Sequence, residues 1–207
     1  MARGRLSGPD ALKDCAQLVV QESKRLTRLV DNLLAYSRVT DVTEVYTWDA
    51  IDPATLVHDV LGGFRQALDA GGFNVEVVIS PDLPPVRGDW TACVLLFDNL
   101  IDNAIRYSTA TRRVAVRARA DGKAVTIEVA DGGRGIPPDE LPRVTRRFFR
   151  GRAAGSGGSG LGLAIASRIV EDHRGTLRIR SELGVGTTVS VTLPAAEHVD
   201  EETHPGR

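Results

Sequence analysis

Between Ser156 and Arg174 the chain reads SGGSGLGLAIASRIVEDHR, a glycine run that passes directly into a helical apolar pattern. Leu161, Ala164, Ile165, Arg168 and Ile169 recur at three- and four-residue steps, the period of a half-buried helix. Glycine backbone can lie flat against a ligand. The first turn of the helix adds unpaired N–H groups and the positive end of its dipole, so the junction suits an anion, a nucleotide phosphate above all. A glycine run standing alone is more often a linker, and the choice between the two readings rests on what stands upstream.

The 207 residues, 42% hydrophobic, suffice for one good core with a helical appendage. A net charge of −1 argues neither for nucleic acid nor for an acidic partner surface. No apolar run approaches the roughly 20 residues that span a bilayer, and no signal-peptide pattern opens the chain, so it reads as cytoplasmic. Cys15 and Cys93 lie far apart, without histidine neighbours, and read as small buried hydrophobes.

From Ala11 to Arg38 there is neither Gly nor Pro, which predicts one long helix within residues 1–40. Leu12, Ala16, Val19, Ser23, Leu26, Val30, Leu33 and Ser37 alternate four- and three-residue steps, a heptad seam for a bundle or coiled coil. Such a helix is not stable alone, so its partners come from another copy, giving a homodimer through residues 11–38, or from another piece of chain. After a connector, Val39 to Asp52, a second helix runs from Pro53 to about Ala70 and stops at Gly71-Gly72. Phe73 to Ser80 alternates like a strand. Asp89 caps a helix running to Tyr107, and Arg113–Ala120 with Ala124–Ala130 form a hairpin about Asp121-Gly122. A long loop follows from Asp131 to Gly158, then the glycine-led helix, then a second hairpin, Thr176–Ser181 with Thr187–Leu193. The expected fold is α+β: a two-layer sandwich, its mixed and mostly antiparallel sheet covered on one face by helices, spanning residues 45–194 behind the N-terminal helix. The polar tail 195–207 reads as disordered.

In the helix from Asp89 to Tyr107 an apolar face, Trp90, Val94, Phe97, Leu100, Ile101, Ala104 and Ile105, opposes Asn99, Asn103 and Arg106. Steps of four and three stack these polar side chains in one stripe, where two amides and a guanidinium can meet a metal–triphosphate. Asn is a poor mid-helix residue, which weighs against a merely solvated face. Asp131-Gly132-Gly133-Arg134-Gly135-Ile136 then follows a strand directly. There Gly133 and Gly135 allow close backbone approach, and Asp131 can accept a proton from an exocyclic amine.

In this order the motifs resemble the ATP-binding domain of sensor histidine kinases, within the larger group of gyrase-, Hsp90- and MutL-type ATPases. DNLIDNAIRYS (98–108) resembles the asparagine motif, ADGGRGIP (130–137) and GGSGLGLAI (157–165) the two glycine motifs, and GVGTTVSVTLP (184–194) the closing strand. ESKRLTRLVDNLLAYSRV (22–39) is similar to the second helix of that family's dimerisation and phosphotransfer hairpin.

The resemblance implies ATP and Mg²⁺ as cofactors. Asn103 would coordinate the metal, Asn99 and Arg106 would hold phosphates, and Tyr107 would lie near the sugar or base. Asp131 would bind the adenine amine, Gly133 and Gly135 would shape the base pocket, and Thr187 would lie near the adenine. Gly158, Gly160, Leu161 and Gly162 would surround the phosphates. Phosphoryl transfer requires mainly positioning and charge neutralisation, which this set supplies.

Two departures stand out. RVTRRFFRG places Thr145 where the family's aromatic segment has its first Phe, while Arg147, Phe148 and Phe149 match. No phosphoacceptor motif surrounds His58, His173, His198 or His204. The expected activity is therefore transfer of the ATP γ-phosphate to a histidine on a companion hairpin, upstream or in another chain, for relay to a response-regulator receiver domain. Two alternatives share the nucleotide fold: an anti-sigma-type serine kinase, against which the heptad argues, and a non-catalytic nucleotide-binding or dimerisation module. Arginines 143, 146, 147, 150 and 152 read as a solvated lid touching phosphate, not as a nucleic-acid surface, because no aromatic stacking platform accompanies them.

Overall fold

A computed structural model describes residues 46–108, 110–152 and 159–196. The helix expected over Ala11–Arg38, with its seam and Cys15, lies outside the described residues, as do Gly157, Gly158 and the chain from residue 197.

The first element is β1 (Asp49–Ile51), three residues inside what reads in sequence as connector. Asp52 then opens α1 (Pro53–Gly71) by accepting the Thr55 N–H at 2.8 Å, with Pro53 in the first turn, where a missing N–H is harmless. Gly72, at φ 63°, closes the helix. β2 (Asn74–Ile79) and β3 (Val86–Gly88) follow, and Asp89 caps α2 (Trp90–Tyr107) by accepting the Ala92 N–H at 2.8 Å. The hairpin of β4 (Arg113–Asp121) and β5 (Ala124–Asp131) turns about Gly122, as its Asp-Gly signal predicts. A loop containing a single 3₁₀ turn, Leu141–Arg143, leads towards α3 (Gly162–Asp172), and β6 (Thr176–Glu182) pairs with β7 (Gly186–Pro194).

The five-stranded sheet runs β2-β4-β5-β7-β6; β2 lies parallel to β4 and every other pair is antiparallel. β1 and β3 make a separate antiparallel ribbon, Asp49 opposite Gly88. One sheet face, with Val114, Val116, Val125, Ile127 and Val191, packs on Leu56 of α1, Leu96, Leu100 and Ile101 of α2, and Ile165 and Ile169 of α3. Burial of this apolar surface drives the fold, and the result is the expected two-layer α+β sandwich. On the opposite face Glu76 pairs with Arg113 at 2.9 Å and Arg117 at 2.8 Å, and Ser190 donates to Glu128 at 3.0 Å. Such exposed pairs add little stability.

Two details depart from the periodic reading. Trp90, assigned to the core face of α2, is 38% exposed at the first turn, whereas Cys93 and Leu96 are fully buried. Arg168, within the apolar stripe of α3, is exposed and pairs with Asp172 at 3.1 Å. Ala195 and Ala196, read as the start of a disordered tail, are held by N–H bonds to the Lys123 and Pro85 carbonyls at 2.9 and 2.7 Å.

His173 fastens the far ends of α2 and α3. Its Nε2 accepts the Asp89 N–H at 3.0 Å, which places the ring proton on Nδ1, 2.8 Å from the Ile169 carbonyl oxygen. Burial holds this neutral imidazole below its ordinary pKa. Tyr46 and Trp48 pack on the ring with centroids 5.2 and 4.8 Å away, and the Tyr46 hydroxyl donates to Asp172 at 2.8 Å. The connector is thus bound to the end of the helix pair opposite the glycine-rich junction.

Candidate functional site

The second half of α2, the end of β5, the loop after it and the start of α3 enclose a cavity of ≈ 180 Å³. Asn99, Asn103, Arg106 and Tyr107 line it from α2, as their helical spacing requires. Asn99 is oriented from behind: its Nδ2 donates to the Leu95 carbonyl at 2.8 Å. Its Oδ1 faces the start of α3, where a Cβ on Gly162 would lie 2.7 Å away, so glycine at 162 is what lets the two helices close at this end. Arg106 is held by Asp102 of the preceding turn at 2.8 Å. Asn103, by contrast, makes no side-chain hydrogen bond among the described residues, and its amide is presented to the cavity.

Asp131 stands at the C-terminal end of β5. Its Oδ1 accepts the Gly133 N–H at 2.8 Å and the Thr187 N–H at 3.3 Å, and neither bond falls on Oδ2. Burial raises its pKa, the two N–H bonds opposing. Gly135, at φ +71°, has its Cα pressed against the Glu182 carbonyl of the β6–β7 turn, where any side chain would collide. The Gly184 N–H completes this contact by donating to the Arg134 carbonyl at 2.7 Å. Thr187, opposite Asp131 in the β5–β7 register, also lines the cavity.

At the other wall Ser159, Gly160 and Gly162 lead into α3, whose N-terminus has no side-chain cap, so its first N–H groups are available to an anion. Of the twelve residues the resemblance assigned to a cofactor, nine line this cavity. Gly158 lies outside the described residues. The Leu161 side chain, at 3% exposure, is in the core, turned in by the same periodicity that buries Ile165. Gly133 is buried behind Asp131 and serves the cavity by orienting that carboxylate.

Sequence reasoning missed several walls. Arg134 stacks on the Tyr107 ring at 4.6 Å, and Phe149 lines the cavity beneath Arg143 at 4.7 Å. Glu140 is a buried carboxylate that accepts from the Arg152 N–H at 3.0 Å and Nε at 3.1 Å, contacts that hold its pKa below the usual range. Phe148, matched to the family's aromatic segment, is 68% exposed with φ +58°; nothing in the structure assigns a consequence to Thr145.

Residues 88–197 match the model of the histidine kinase-, DNA gyrase B- and HSP90-like ATPases. The chain belongs to this ATPase family. Among curated relatives, the sensor-like histidine kinase SenX3 of Mycobacterium tuberculosis is 35% identical over 96% of this chain and 50% of its own length. Sensor protein SrrB of Staphylococcus aureus is 34% identical over 94% of this chain and 34% of its own. This ATPase-family chain therefore spans about half or less of the curated relatives it matches. Full-length ShkA, solved in complex with AMPPNP, superposes with TM-score 0.75 at 26% identity, over 93% of this chain and 40% of that one. The mycobacterial sensor histidine kinase MprB superposes with TM-score 0.63 at 30% identity, over 71% and 98%. Among the described residues no helix is long and apolar enough to cross a membrane.

Proposed function

We propose that the cavity binds Mg²⁺-ATP and that the chain is the catalytic portion of a two-component sensor histidine kinase. In this reading it delivers the γ-phosphoryl group to a histidine on a companion phosphoacceptor hairpin, for relay to a response-regulator receiver domain. The observation that carries this is convergence: an uncommitted asparagine amide, a guanidinium, an inward carboxylate and an uncapped helix N-terminus meet around one cavity, on a chain whose relatives are sensor kinases. The donor set fits magnesium as a guest of the nucleotide. Among the described residues no group of three His, Cys, Asp or Glu side chains could hold a metal ion by itself, and the ion would be held by the Asn103 amide oxygen together with the nucleotide's phosphates. Bound there, it would neutralise phosphate charge during transfer. Arg106 and the α3 N-terminus would hold the phosphates, with Asp131 and Thr187 at the base.

Calorimetric titration of ATP with and without Mg²⁺ tests the binding step. Asn103→Ala should abolish the magnesium dependence, and unchanged affinity in that variant would remove Asn103 from the metal. Adding a separately produced hairpin that carries an acceptor histidine, with labelled ATP, tests transfer; a homodimer through residues 11–38 is tested by sedimentation.

A further inference from the structure

Burying a carboxylate is costly unless hydrogen bonds replace the water it loses, so a buried one draws attention to what holds it. Glu140, 6% exposed, is held from twelve positions further along the chain: its Oε1 accepts the Arg152 backbone N–H at 3.0 Å and the Arg152 Nε–H at 3.1 Å. The Arg152 side chain, 77% exposed, also reaches Asp139. An ion pair so open to water adds little by itself, and the backbone N–H on the buried oxygen is the firmer half of the contact. Oε2, the other oxygen, lies where a Cβ on Gly151 would collide with it, so glycine at 151 lets the carboxylate lie against the chain.

This contact closes a loop. Between its ends Val144, Phe149, Arg150 and Gly151 line the cavity. Within it the Arg146 N–H donates to the Arg143 carbonyl at 2.9 Å and the Phe149 N–H to the Arg146 carbonyl at 3.2 Å, beside the Arg143 guanidinium on the Phe149 ring. Phe148 holds φ +58°, a left-handed backbone that persists only where its surroundings determine it. One such constraint is Gly160, where a Cβ would meet the Phe148 and Phe149 backbone at 2.8 Å; the other is the closure at Glu140. We propose that Glu140 is a positioning residue whose carboxylate closes residues 140–152 into a preformed wall of the cavity, so that Phe149 and Arg150 stand in place before a nucleotide arrives. Ordering completed in the free protein is not subtracted from the binding energy, so closure raises affinity. The effect on affinity rests on the nucleotide-binding reading above; the closure itself is a property of the chain.

Trypsin acting on the full chain without nucleotide reads the closure directly, because Arg143, Arg146, Arg147 and Arg150 all lie between the joined ends. Glu140→Ala should speed cleavage after these four about tenfold relative to cleavage after Arg117 in the sheet, and should weaken Mg²⁺-ATP about tenfold by calorimetry, the worth of one charge-assisted bond. Gly151→Ala, which displaces the carboxylate without removing it, should do the same, and adding it to Glu140→Ala should change nothing further. Glu140→Gln keeps an oxygen for the Arg152 N–H and should recover most of both readouts. Arg152→Ala spares that backbone donor and should cost about threefold or less. If Glu140→Ala tightens ATP, the carboxylate acts by repelling phosphate and the proposal is overturned. If cleavage after Arg117 rises as much as cleavage within 140–152, Glu140 supports the whole fold and the proposal is likewise overturned. Should Glu140→Ala fail to fold, Gly151→Ala carries the test, and unchanged cleavage there overturns the proposal. A wild-type chain that binds no ATP refutes the nucleotide-binding reading, with the cleavage ratio still deciding the closure, whereas ATP binding with unmoved cleavage refutes only the role of Glu140.

Discussion

Replacing Asp98 by asparagine should stabilise the protein in a pH-dependent way. Asp98 sits on α2 beside the site asparagines, and its pKa is pushed from 3.8 to about 6, first by burial and then by the charges of Asp59 and Asp102. The folded state therefore holds this proton more tightly than the unfolded chain. The carboxyl is harmless below the unfolded value of 3.8 and destabilises as pH rises through 6. At about 1.4 kcal/mol per tenfold change in proton affinity the full effect is about 3 kcal/mol. Asp98 is only half-buried, and solvent screening reduces this to about 1–2 kcal/mol. Urea denaturation followed by circular dichroism at pH 7.5 and pH 5 measures it. The gain for Asp98→Asn should be full at the higher pH and shrink at the lower. Asp59→Asn should recover only the smaller share, since burial is the larger cause. An equal gain at both pH values would refute the reasoning, because the benefit would then come from something other than a charge.

His173 predicts the opposite limb: held neutral by burial, it contributes stability above its ordinary pKa of 6.5 that is lost as pH falls through its lowered value. His173→Gln should flatten the decline in stability between pH 6.5 and 5, measured in the same denaturation series. Gly62 and Gly63 lie exposed in mid-α1, and a Cβ at either would meet nothing within 4 Å. Each Gly→Ala change should therefore add about 1 kcal/mol, raising Tm by about 2–4 °C in a thermal melt.

Much of the fold was readable because it is local. The caps Asp89 and Gly72, the Asp-Gly hairpin and the 3.6-residue stripes of α1 and α2 act within a few positions of themselves. What escaped depends on distant partners. β1 is three residues long and exists because Val86–Gly88 lies beside it, and no periodicity states that β2 runs parallel to β4. The site followed the same division. Asn99, Asn103 and Arg106 share a helix face and were readable from spacing, whereas Glu140 sits by a 3₁₀ turn without periodicity and finds Arg152 only in three dimensions. Gly135 and Gly162 read in sequence as places of close ligand approach, and the structure supplies a further reason for glycine there. Gly135 and Gly162 yield first to protein neighbours, Glu182 and Asn99, and the cavity's shape follows from that packing.

The helix pair relates two distant parts of the chain. α2 and α3 are joined by the His173–Asp89 hydrogen bond at one end and pack closely where Asn99 faces Gly162 at the other, about 15 Å apart along the axes. The connector packs on one end of that pair through Tyr46 and Trp48, and the other end forms a wall of the cavity. Connector and cavity thus stand at the two ends of one packed helix pair.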